Sequence, residues 1–463
     1  MKISWNNIRF YLGTILYIIG FAQIVPVITS IVLGESLIFI LLLVSTMLTT
    51  IFIAYIIKRN SRYSEVNILE AFTIMVLAFL IPGFTCAIPI LAYNVNFIDA
   101  LFEGVSAITT TGLSALPPHA LTPGVHFLRA YYQWLGGFSI AMLVLLFLAT
   151  PGSAAYSIYM AHLGRFKVTP LSVSTVKAFL KIYVILTLIF AFIYLASGLS
   201  FFDSIINALT TISTGGFSTI STFKQNAMYA GLILMFISAQ PLAIYYFLYK
   251  GEFKRIVRDP QLLLFTTVLL TTFLISLPTL HTGLIEYLFQ LTSALSTTGY
   301  SALNNSTLPD SNKYILSILM IIGAGFGSTG GGLKQLRLYI ILKSIIHSIQ
   351  RTTIPSKAVS YIRVGDKTLS ESDILWAYTL FSLYIIVLSI SVFIFLLHGY
   401  SFPDSLFETS SALATTGLSV GLSSHTLQFI PKVVLIIDMF LGRIEIIPLL
   451  IVSSHIIKKL FKL

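Results

Sequence analysis

The chain repeats one short segment four times. The copies read FEGVSAITTTGLSA, INALTTISTGGFST, FQLTSALSTTGYSA and FETSSALATTGLSV, and they align on Gly112, Gly216, Gly299 and Gly417. Nine positions before these glycines stand the polar residues Glu103, Asn207, Gln290 and Glu408. Four positions further back stand the acids Asp99, Asp203, Glu286 and Asp404. A register held over four copies predicts four copies of one helix-and-loop unit around a common axis, and such an axis predicts a pore.

Composition places these units in a membrane. Of the 463 residues, 56% are hydrophobic and only 10% are charged, whereas soluble domains carry about 25% charged residues. A spanning helix takes roughly 20 apolar residues. Ten segments qualify: 10–33, 36–57, 67–93, 126–150, 173–197, 228–250, 261–281, 312–345 with a break, 376–398 and 430–457.

Shorter apolar segments precede the four Ser/Thr/Gly runs. They are too short to span and fit re-entrant helices, because non-helical backbone at membrane depth is tolerated where it lines a cavity. We therefore predict an all-α polytopic membrane protein built from helix, re-entrant helix, extended loop and helix. Its expected parts are an extra N-terminal helical pair at 1–62 and four units at 63–165, 166–258, 259–370 and 371–463.

The net charge of +11 is arranged as in a membrane protein rather than a nucleic-acid binder. Basic residues stand in short clusters between the apolar spans, as at 58–62, 250–258 and 351–367. Because positive loops remain cytoplasmic, this pattern predicts that both termini face the cytoplasm.

The repeated loop has the residues that a monovalent-cation filter needs. Backbone carbonyls from four segments can replace the water shell of a cation, and glycine permits the backbone conformations that aim them inward. The expected filter residues are Thr110, Thr111, Gly112, Thr214, Gly215, Gly216, Thr297, Thr298, Gly299, Thr415, Thr416 and Gly417. The four acids are expected at the positive ends of the re-entrant helices, facing the outer mouth, where they could concentrate cations. TTG and STG are also ordinary turn motifs, but four copies with matched acids favour the filter.

Arg443 is expected near the middle of the last predicted span. Such an arginine costs about 2.5–3.5 kcal/mol on insertion scales, so it usually faces a cavity or a partner. One interpretation is a structural ion pair with another helix. The other places the guanidinium below the filter, where it would oppose permeating cations.

A glycine run from Gly323 to Gly332 interrupts the helix that follows the third filter segment. Each glycine costs roughly 1 kcal/mol in a helix relative to alanine, so the run predicts an intramembrane loop beneath the filter and a candidate gate. Its expected residues, with Arg443, are Gly323, Gly325, Gly327, Ser328, Thr329, Gly330, Gly331, Gly332 and Lys334. Lys334 and Arg337 are expected to anchor its cytoplasmic side. The run also matches GxGxxG, but no βαβ unit surrounds it, so we do not expect a dinucleotide site.

Catalytic constellations are missing from the sequence. The eight histidines form no ligand cluster, and His126 is expected at the surface. Cys86 is the one cysteine and is expected to serve packing. We predict neither an enzyme nor an organic cofactor.

The motifs together resemble the Trk/Ktr/HKT superfamily of potassium transporters. The resemblance rests on the four filter segments, WLGG from Trp134, GSTGGGLK from Gly327 and GRIE from Gly442, and it covers essentially the whole chain. The extra N-terminal pair makes the chain most similar to the TrkH branch. SAQP at Ser238–Pro241 departs from the pattern, since more glycine is expected there.

The resemblance implies four M1–P–M2 repeats with pseudo-fourfold symmetry and potassium (and rubidium) uptake, with K+ as the permeant ion. Filter contacts to potassium are then expected at Thr110, Thr111, Thr214, Gly215, Thr297, Thr298, Thr415 and Thr416. In the family, glycine at all four filter positions accompanies potassium preference, and Gly112 keeps that pattern. Arg443 maps onto the arginine below the filter and Gly323–Gly332 onto the gating loop.

The resemblance also implies partners. We expect a homodimer in a bacterial inner membrane, surrounded by lipid, and a cytosolic nucleotide-binding regulatory ring resembling TrkA. The basic stretches 250–258 and 351–367 are the expected docking face. A sodium- or proton-coupled potassium symporter remains the alternative to a channel-like pore, although repeats of one topology favour a central pore.

Overall fold

The computed structural model describes residues 4–62, 66–147, 173–220, 223, 225–279, 283–353, 361–364 and 367–460. Most of these residues are helical. The predicted unit boundaries at 63 and 165 lie outside the described residues.

The N-terminal region contains two helical stretches that are long and apolar enough to span a membrane, Trp5–Val32 and Leu37–Lys58. The first predicted span breaks at Gln23 into α1 (Trp5–Ala22) and α2 (Ile24–Val32), and α3 (Leu37–Lys58) follows. Glycines let α1 pack closely on α3: a Cβ added to Gly13 would lie 2.8 Å from the Lys58 Cβ.

The first two units each place a short helix between longer elements. Unit one has α4 (Ile68–Ile90), a 3-10 turn (Leu91–Tyr93), α5 (Phe97–Ile108), a 3-10 turn (Pro118–Ala120) and α6 (Pro123–Phe147). Unit two has α7 (Val173–Ala196), α8 (Phe201–Ile212), α9 (Gln225–Ser238), α10 (Leu242–Tyr249) and α11 (Phe253–Val257).

The last two units repeat the arrangement. Unit three has α12 (Pro260–Ser276), 3-10 turns (Leu277–Thr279 and Asn305–Thr307), α13 (Leu284–Ser296), α14 (Asp310–Ile322), α15 (Gln335–Arg351) and an antiparallel pair of two-residue strands, β1 (Arg363–Val364) and β2 (Lys367–Thr368). Unit four has α16 (Glu371–Leu397), α17 (Phe402–Leu413), α18 (Phe429–Arg443) and α19 (Ile447–Leu460).

Fewer helices than predicted qualify as complete membrane spans. Five helical stretches in the described residues are long and apolar enough, and the bent pair α9–α10 makes a sixth. The predicted span 312–345 divides at the glycine run, as expected. Besides the break at Gln23, two divisions were not predicted. Helices α9 and α10 meet at 91°, and 430–457 breaks after Arg443, where Glu445 and Ile446 have φ of 65° and 59°.

The four short helices α5, α8, α13 and α17 are buried along most of their length. Serine N-caps start two of them, because Ser200 and Ser401 accept hydrogen bonds from the Asp203 and Asp404 backbone N–H groups. The acids Asp99, Asp203, Glu286 and Asp404 all lie in the first turn, as predicted. The C-terminal ends lead into the four glycine-containing loops.

Candidate functional site

The four short helices end in the same backbone motif. At each end a threonine has a left-handed conformation: Thr110, Thr214, Thr297 and Thr415 have φ between 49° and 54°. The next N–H bonds back five residues, as from Thr111 to the Ser106 carbonyl at 2.9 Å and from Thr416 to the Ser411 carbonyl at 2.8 Å. These bonds form a Schellman motif, in which glycine is usual. A β-branched residue in this conformation is a genuine outlier, so four matched instances point to a constrained loop.

The loops close a ring in chain order. A Cβ added to Gly112 would lie 2.1 Å from the Gly215 carbonyl oxygen, and one on Gly216 would lie 2.1 Å from that of Thr298. Similarly, a Cβ added to Gly299 would lie 2.1 Å from the Thr416 carbonyl oxygen, and one on Gly417 would lie 2.2 Å from that of Thr111. The glycine of each unit therefore lies against a carbonyl of the next unit, and the glycine of unit four lies against a carbonyl of unit one. We call residues 110–112, 214–216, 297–299 and 415–417 the glycine ring.

Polar side chains hold the ring from behind. In each unit the serine two positions after the glycine bonds the matched polar residue of the short helix. Ser114 donates to Glu103 at 2.7 Å, and Ser419 donates to Glu408 at 2.7 Å. The other two pairs are Ser218 with Asn207 at 3.0 Å and Ser301 with Gln290 at 3.4 Å. These four short-helix residues are fully buried, and their hydrogen bonds hold the loops in position.

The ring offers backbone oxygen rather than a side-chain metal site. Among the described residues no group of three or more His, Cys, Asp or Glu could hold a metal ion. The four glycines are half-buried, whereas the eight residues that precede them in the ring are buried. The buried hydroxyls of Thr110 and Thr415 have no hydrogen-bond partner within the part of the chain that the structure describes. Together with the carbonyls, these oxygens suit a cation that has lost its water.

Two of the four first-turn acids do not have the free, cation-attracting position that the sequence predicted. Asp99 is 3% exposed and pairs with Lys432 of unit four. Asp404 pairs with Lys313 of unit three at 2.7 Å. In both cases the lysine is the fourth residue of the helix that follows the loop, α14 or α18, and it reaches the short helix of the next unit. We call these two ion pairs clasps.

The other two units fill the clasp position differently. The residues ten positions before Gly136 and Ser238 are His126 and Met228, in register with Lys313 and Lys432. His126 is 7% exposed, so its predicted surface position was wrong. Asp203 is held by the hydroxyls of Ser200 and Thr219 instead.

The clasp on Asp404 depends on pH. Burial raises the pKa of the Asp404 carboxyl, but hydrogen bonds from Lys313 and Ser401 outweigh burial and bring the pKa below its ordinary value. A carboxyl with a lowered pKa stabilises the fold fully above the ordinary pKa of aspartate. That stabilisation is lost as the pH falls through the lowered pKa.

Breaking the buried clasp is expected to cost more stability than breaking the partly exposed one. Lys432→Met leaves Asp99, whose side chain is 4% exposed, without its cation, and we expect a loss of about 3 kcal/mol. Lys313→Met leaves Asp404, whose side chain is 30% exposed, and we expect a loss of about 1 kcal/mol. Thermal unfolding of the purified protein measures both.

The double variant Lys432→Met/Asp99→Asn serves as the control, because it removes the charge that the single variant leaves unpaired. It should recover most of the lost thermal stability. Equal losses for Lys432→Met and Lys313→Met, or no recovery in the double variant, would contradict the clasp assignment.

The glycine run lies directly against the ring. The Thr329 hydroxyl donates to the Ile212 carbonyl at 2.9 Å, and the Gly331 N–H donates to the Thr297 hydroxyl at 2.7 Å. A Cβ on Gly331 would lie 2.0 Å from the Ala414 carbonyl oxygen. We call Gly323–Gly332 the glycine loop; its residues Gly323, Gly325, Gly327, Ser328, Thr329, Gly330, Gly331 and Gly332 form one non-helical stretch between α14 and α15.

The predicted anchors of the glycine loop both make bonds beside it. Lys334 is 7% exposed, and its ammonium group donates to the Gly330 carbonyl. This bond links the residue before α15 to the glycine loop. Arg337 pairs with Glu445 at 2.5 Å, which joins α15 to the break after α18. The loop is therefore tied to the last helix pair as well as to the ring.

Arg443 lies at the end of α18 rather than in the middle of a span. The side chain is 3% exposed, and its guanidinium donates to the Thr329 carbonyl at 2.7 Å and the Gly136 carbonyl at 2.9 Å. No carboxylate in the described residues forms an ion pair with it, which removes the ion-pair interpretation there. The guanidinium joins the glycine loop to unit one just beside the ring.

Comparisons with known proteins agree with this architecture. The TrkH family model, described as a cation transport protein, matches residues 44–285 and 260–461. An uncharacterized cation transporter of Methanocaldococcus jannaschii is 31% identical over 99% of this chain and 97% of its own. The Trk system potassium uptake protein TrkH of Halomonas elongata is 28% identical over 96% and 97%.

A solved structure has the same fold. The crystal structure of the potassium transporter TrkH from Vibrio parahaemolyticus superposes with a TM-score of 0.85, at 24% identity, over 97% of this chain and 98% of that one. The predicted resemblance is confirmed, and the matching family is one of transporters, not of enzymes. The chain belongs to the TrkH family of cation transport proteins.

Proposed function

We propose that this chain takes up potassium through a central pore and that the glycine ring selects the ion. The observation that carries the proposal is the closed order of the ring, in which each glycine abuts a carbonyl of the next unit. Relatives named as potassium uptake proteins support the choice of ion.

The ring has the electrostatics that a dehydrated cation needs. Carbonyl oxygens from four units replace the hydration shell of the ion. The negative ends of α5, α8, α13 and α17 lead into the same ring, and they favour positive charge. The buried threonine hydroxyls of Thr110 and Thr415 offer further oxygens at its base.

The glycine loop is the proposed gate of this pore. It lies against the ends of α8, α13 and α17, and Arg443 and Lys334 hold it there through the carbonyls of Thr329 and Gly330. Transport would require the loop to leave the ring. Both guanidinium bonds of Arg443 end on backbone carbonyls, so they can break without leaving an unpaired acid.

The proposed setting is a cell membrane, the inner one where the cell has two, with both termini in the cytoplasm. The proposed assembly is a homodimer that works with a cytosolic nucleotide-binding ring resembling TrkA. Arg351 and Arg363 lie in the basic stretch offered as its docking face; residues 354–360 and 365–366 of that stretch lie outside the described residues.

Flux in liposomes under opposing gradients tests whether transport is channel-like. Purified protein is reconstituted, and potassium uptake is followed with and without imposed sodium and proton gradients. Downhill flux that ignores both gradients supports the pore. Uphill potassium accumulation driven by either gradient would overturn it in favour of the coupled symporter.

A further inference from the structure

The glycine loop rests on the break in the second long helix of unit two. The Gly325 N–H donates to the Ala239 carbonyl at 3.0 Å, and the Leu242 N–H donates to the Gly327 carbonyl at 3.2 Å. A Cβ on Gly325 would lie 2.9 Å from the Pro241 Cδ. The sequence SAQP, which departs from the family pattern, therefore forms the seat of the loop.

Helix α10 joins this seat to the far end of the unit. Leu242, Ala243 and Phe247 are at most 4% exposed and pack in one apolar cluster with Phe326 of the loop. Because such packing is dense, a displacement of α10 moves the residues against it. The position of α10 and the position of the loop are thus coupled.

The end of α10 and the chain that follows it combine exposed cations with exposed apolar side chains. Tyr249, Phe253 and Val257 are 78%, 61% and 68% exposed. The same stretch has four exposed basic residues, Lys250, Lys254, Arg255 and Arg258. Its acid Glu252 pairs with Arg255 at 2.8 Å, and the other three cations have no carboxylate partner among the residues that the structure describes. We call residues 248–258 the basic segment.

We propose that the basic segment binds anionic phospholipid head groups and thereby holds the glycine loop in its seat. Basic residues interleaved with large apolar residues are typical of protein segments that lie at the membrane–water interface. The sequence placed 250–258 in the docking face of a regulatory ring, so an acidic protein partner is the competing occupant. The exposed side chains of Tyr249, Phe253 and Val257 favour lipid, because the membrane interface takes up large apolar groups beside cations. An anionic lipid surface can bind the cations and take up the apolar side chains. The proposal rests on the pore proposed above.

Potassium flux in two kinds of vesicle tests the regulation. The full chain is reconstituted in phosphatidylcholine alone and with phosphatidylglycerol added. We expect flux in the anionic vesicles to be about fivefold lower, the shift that roughly one cation contact at a membrane surface supplies. Lys254→Gln/Arg258→Gln should abolish the difference between the two vesicles.

Arg59→Gln/Arg62→Gln is the matched control. Both arginines are exposed and follow α3, where the structure shows no contact with the glycine loop in its described residues. This variant should keep the wild-type response to lipid. Equal wild-type flux in both vesicles, or the same lipid response in the Lys254→Gln/Arg258→Gln variant as in wild type, would overturn the proposal.

Tryptophan quenching tests lipid binding without any flux. Phe253→Trp and wild-type protein, which has Trp5, Trp134 and Trp376 of its own, are placed in vesicles with bromine on the phosphatidylglycerol chains or on the phosphatidylcholine chains. The difference between the two proteins gives the quenching at position 253. Stronger quenching by the brominated anionic lipid is expected, and Lys254→Gln/Arg258→Gln should equalise the two. No quenching would leave the basic segment to a protein partner and overturn the proposal. Because this readout needs no transport, a failure of the pore and a failure of the lipid site are distinguishable.

Discussion

Gly112→Ser is expected to lower the preference for potassium over sodium by about tenfold, which corresponds to about 1.4 kcal/mol of lost discrimination. The Cβ would lie 2.1 Å from the Gly215 carbonyl oxygen, so one strand of the ring must shift. Gly112 also has a φ of 88°, a conformation that a serine adopts only with strain. The flux ratio of rubidium to sodium in liposomes measures the effect.

Gly198→Ser is the matched control for this substitution. Gly198 has a φ of 92°, but a Cβ there would meet nothing within 4 Å. It therefore bears the same backbone strain without touching the ring, and its ion preference should equal that of the wild type. If both variants changed selectivity equally, the contact across the ring would not be the cause.

Arg443→Ala is expected to raise potassium flux by about tenfold, the effect of lowering a barrier by about 1.4 kcal/mol. The substitution removes a buried positive charge beside the ring and two hydrogen bonds, one of which holds the Thr329 carbonyl of the glycine loop. Without that positive charge, the electrostatic barrier to potassium along the pathway is lower. Initial rates of uptake in vesicles of one composition give the comparison.

Arg129→Ala separates this effect from the general cost of removing a buried arginine. Arg129 is 1% exposed and forms an ion pair with Glu103 at 2.6 Å, so its loss leaves a buried carboxylate unpaired. We expect lower thermal stability and no gain of flux from it. An Arg443→Ala protein that folds but transports no faster than wild type would contradict the barrier.

The repeat register predicted the short helices and the glycine loops that follow them because its spacing is local. The offset of nine residues between Glu408 and Gly417 fits a short helix followed by a loop, and the structure adds that Ser419 ties the two together. The left-handed threonines were missed, since no propensity places a β-branched residue in that conformation. The repetition of a hydroxyl residue at Thr110, Thr214, Thr297 and Thr415 was the available signal.

Long-range pairing and helix breaks were harder to predict. Asp99 and Lys432 are 333 positions apart, so only the folded units bring them together, although the register of Lys432 with Lys313 was readable. The helix breaks after Arg443, but residues 444–446 include no glycine or proline that would predict the break. Pro241 was a readable signal for the bend between α9 and α10, but the span was predicted as continuous. The support that this bend gives the glycine loop needs coordinates.

Anomalous X-ray scattering from rubidium in crystals of the purified protein tests the filter most directly. The ring assignment predicts an anomalous peak enclosed by the four strands, within coordinating distance of the Thr111, Gly215, Thr298 and Thr416 carbonyl oxygens. Crystals soaked in sodium should lack it. Rubidium bound only outside the ring, or found nowhere along its axis, would contradict the assignment of these four loops as the ion selector.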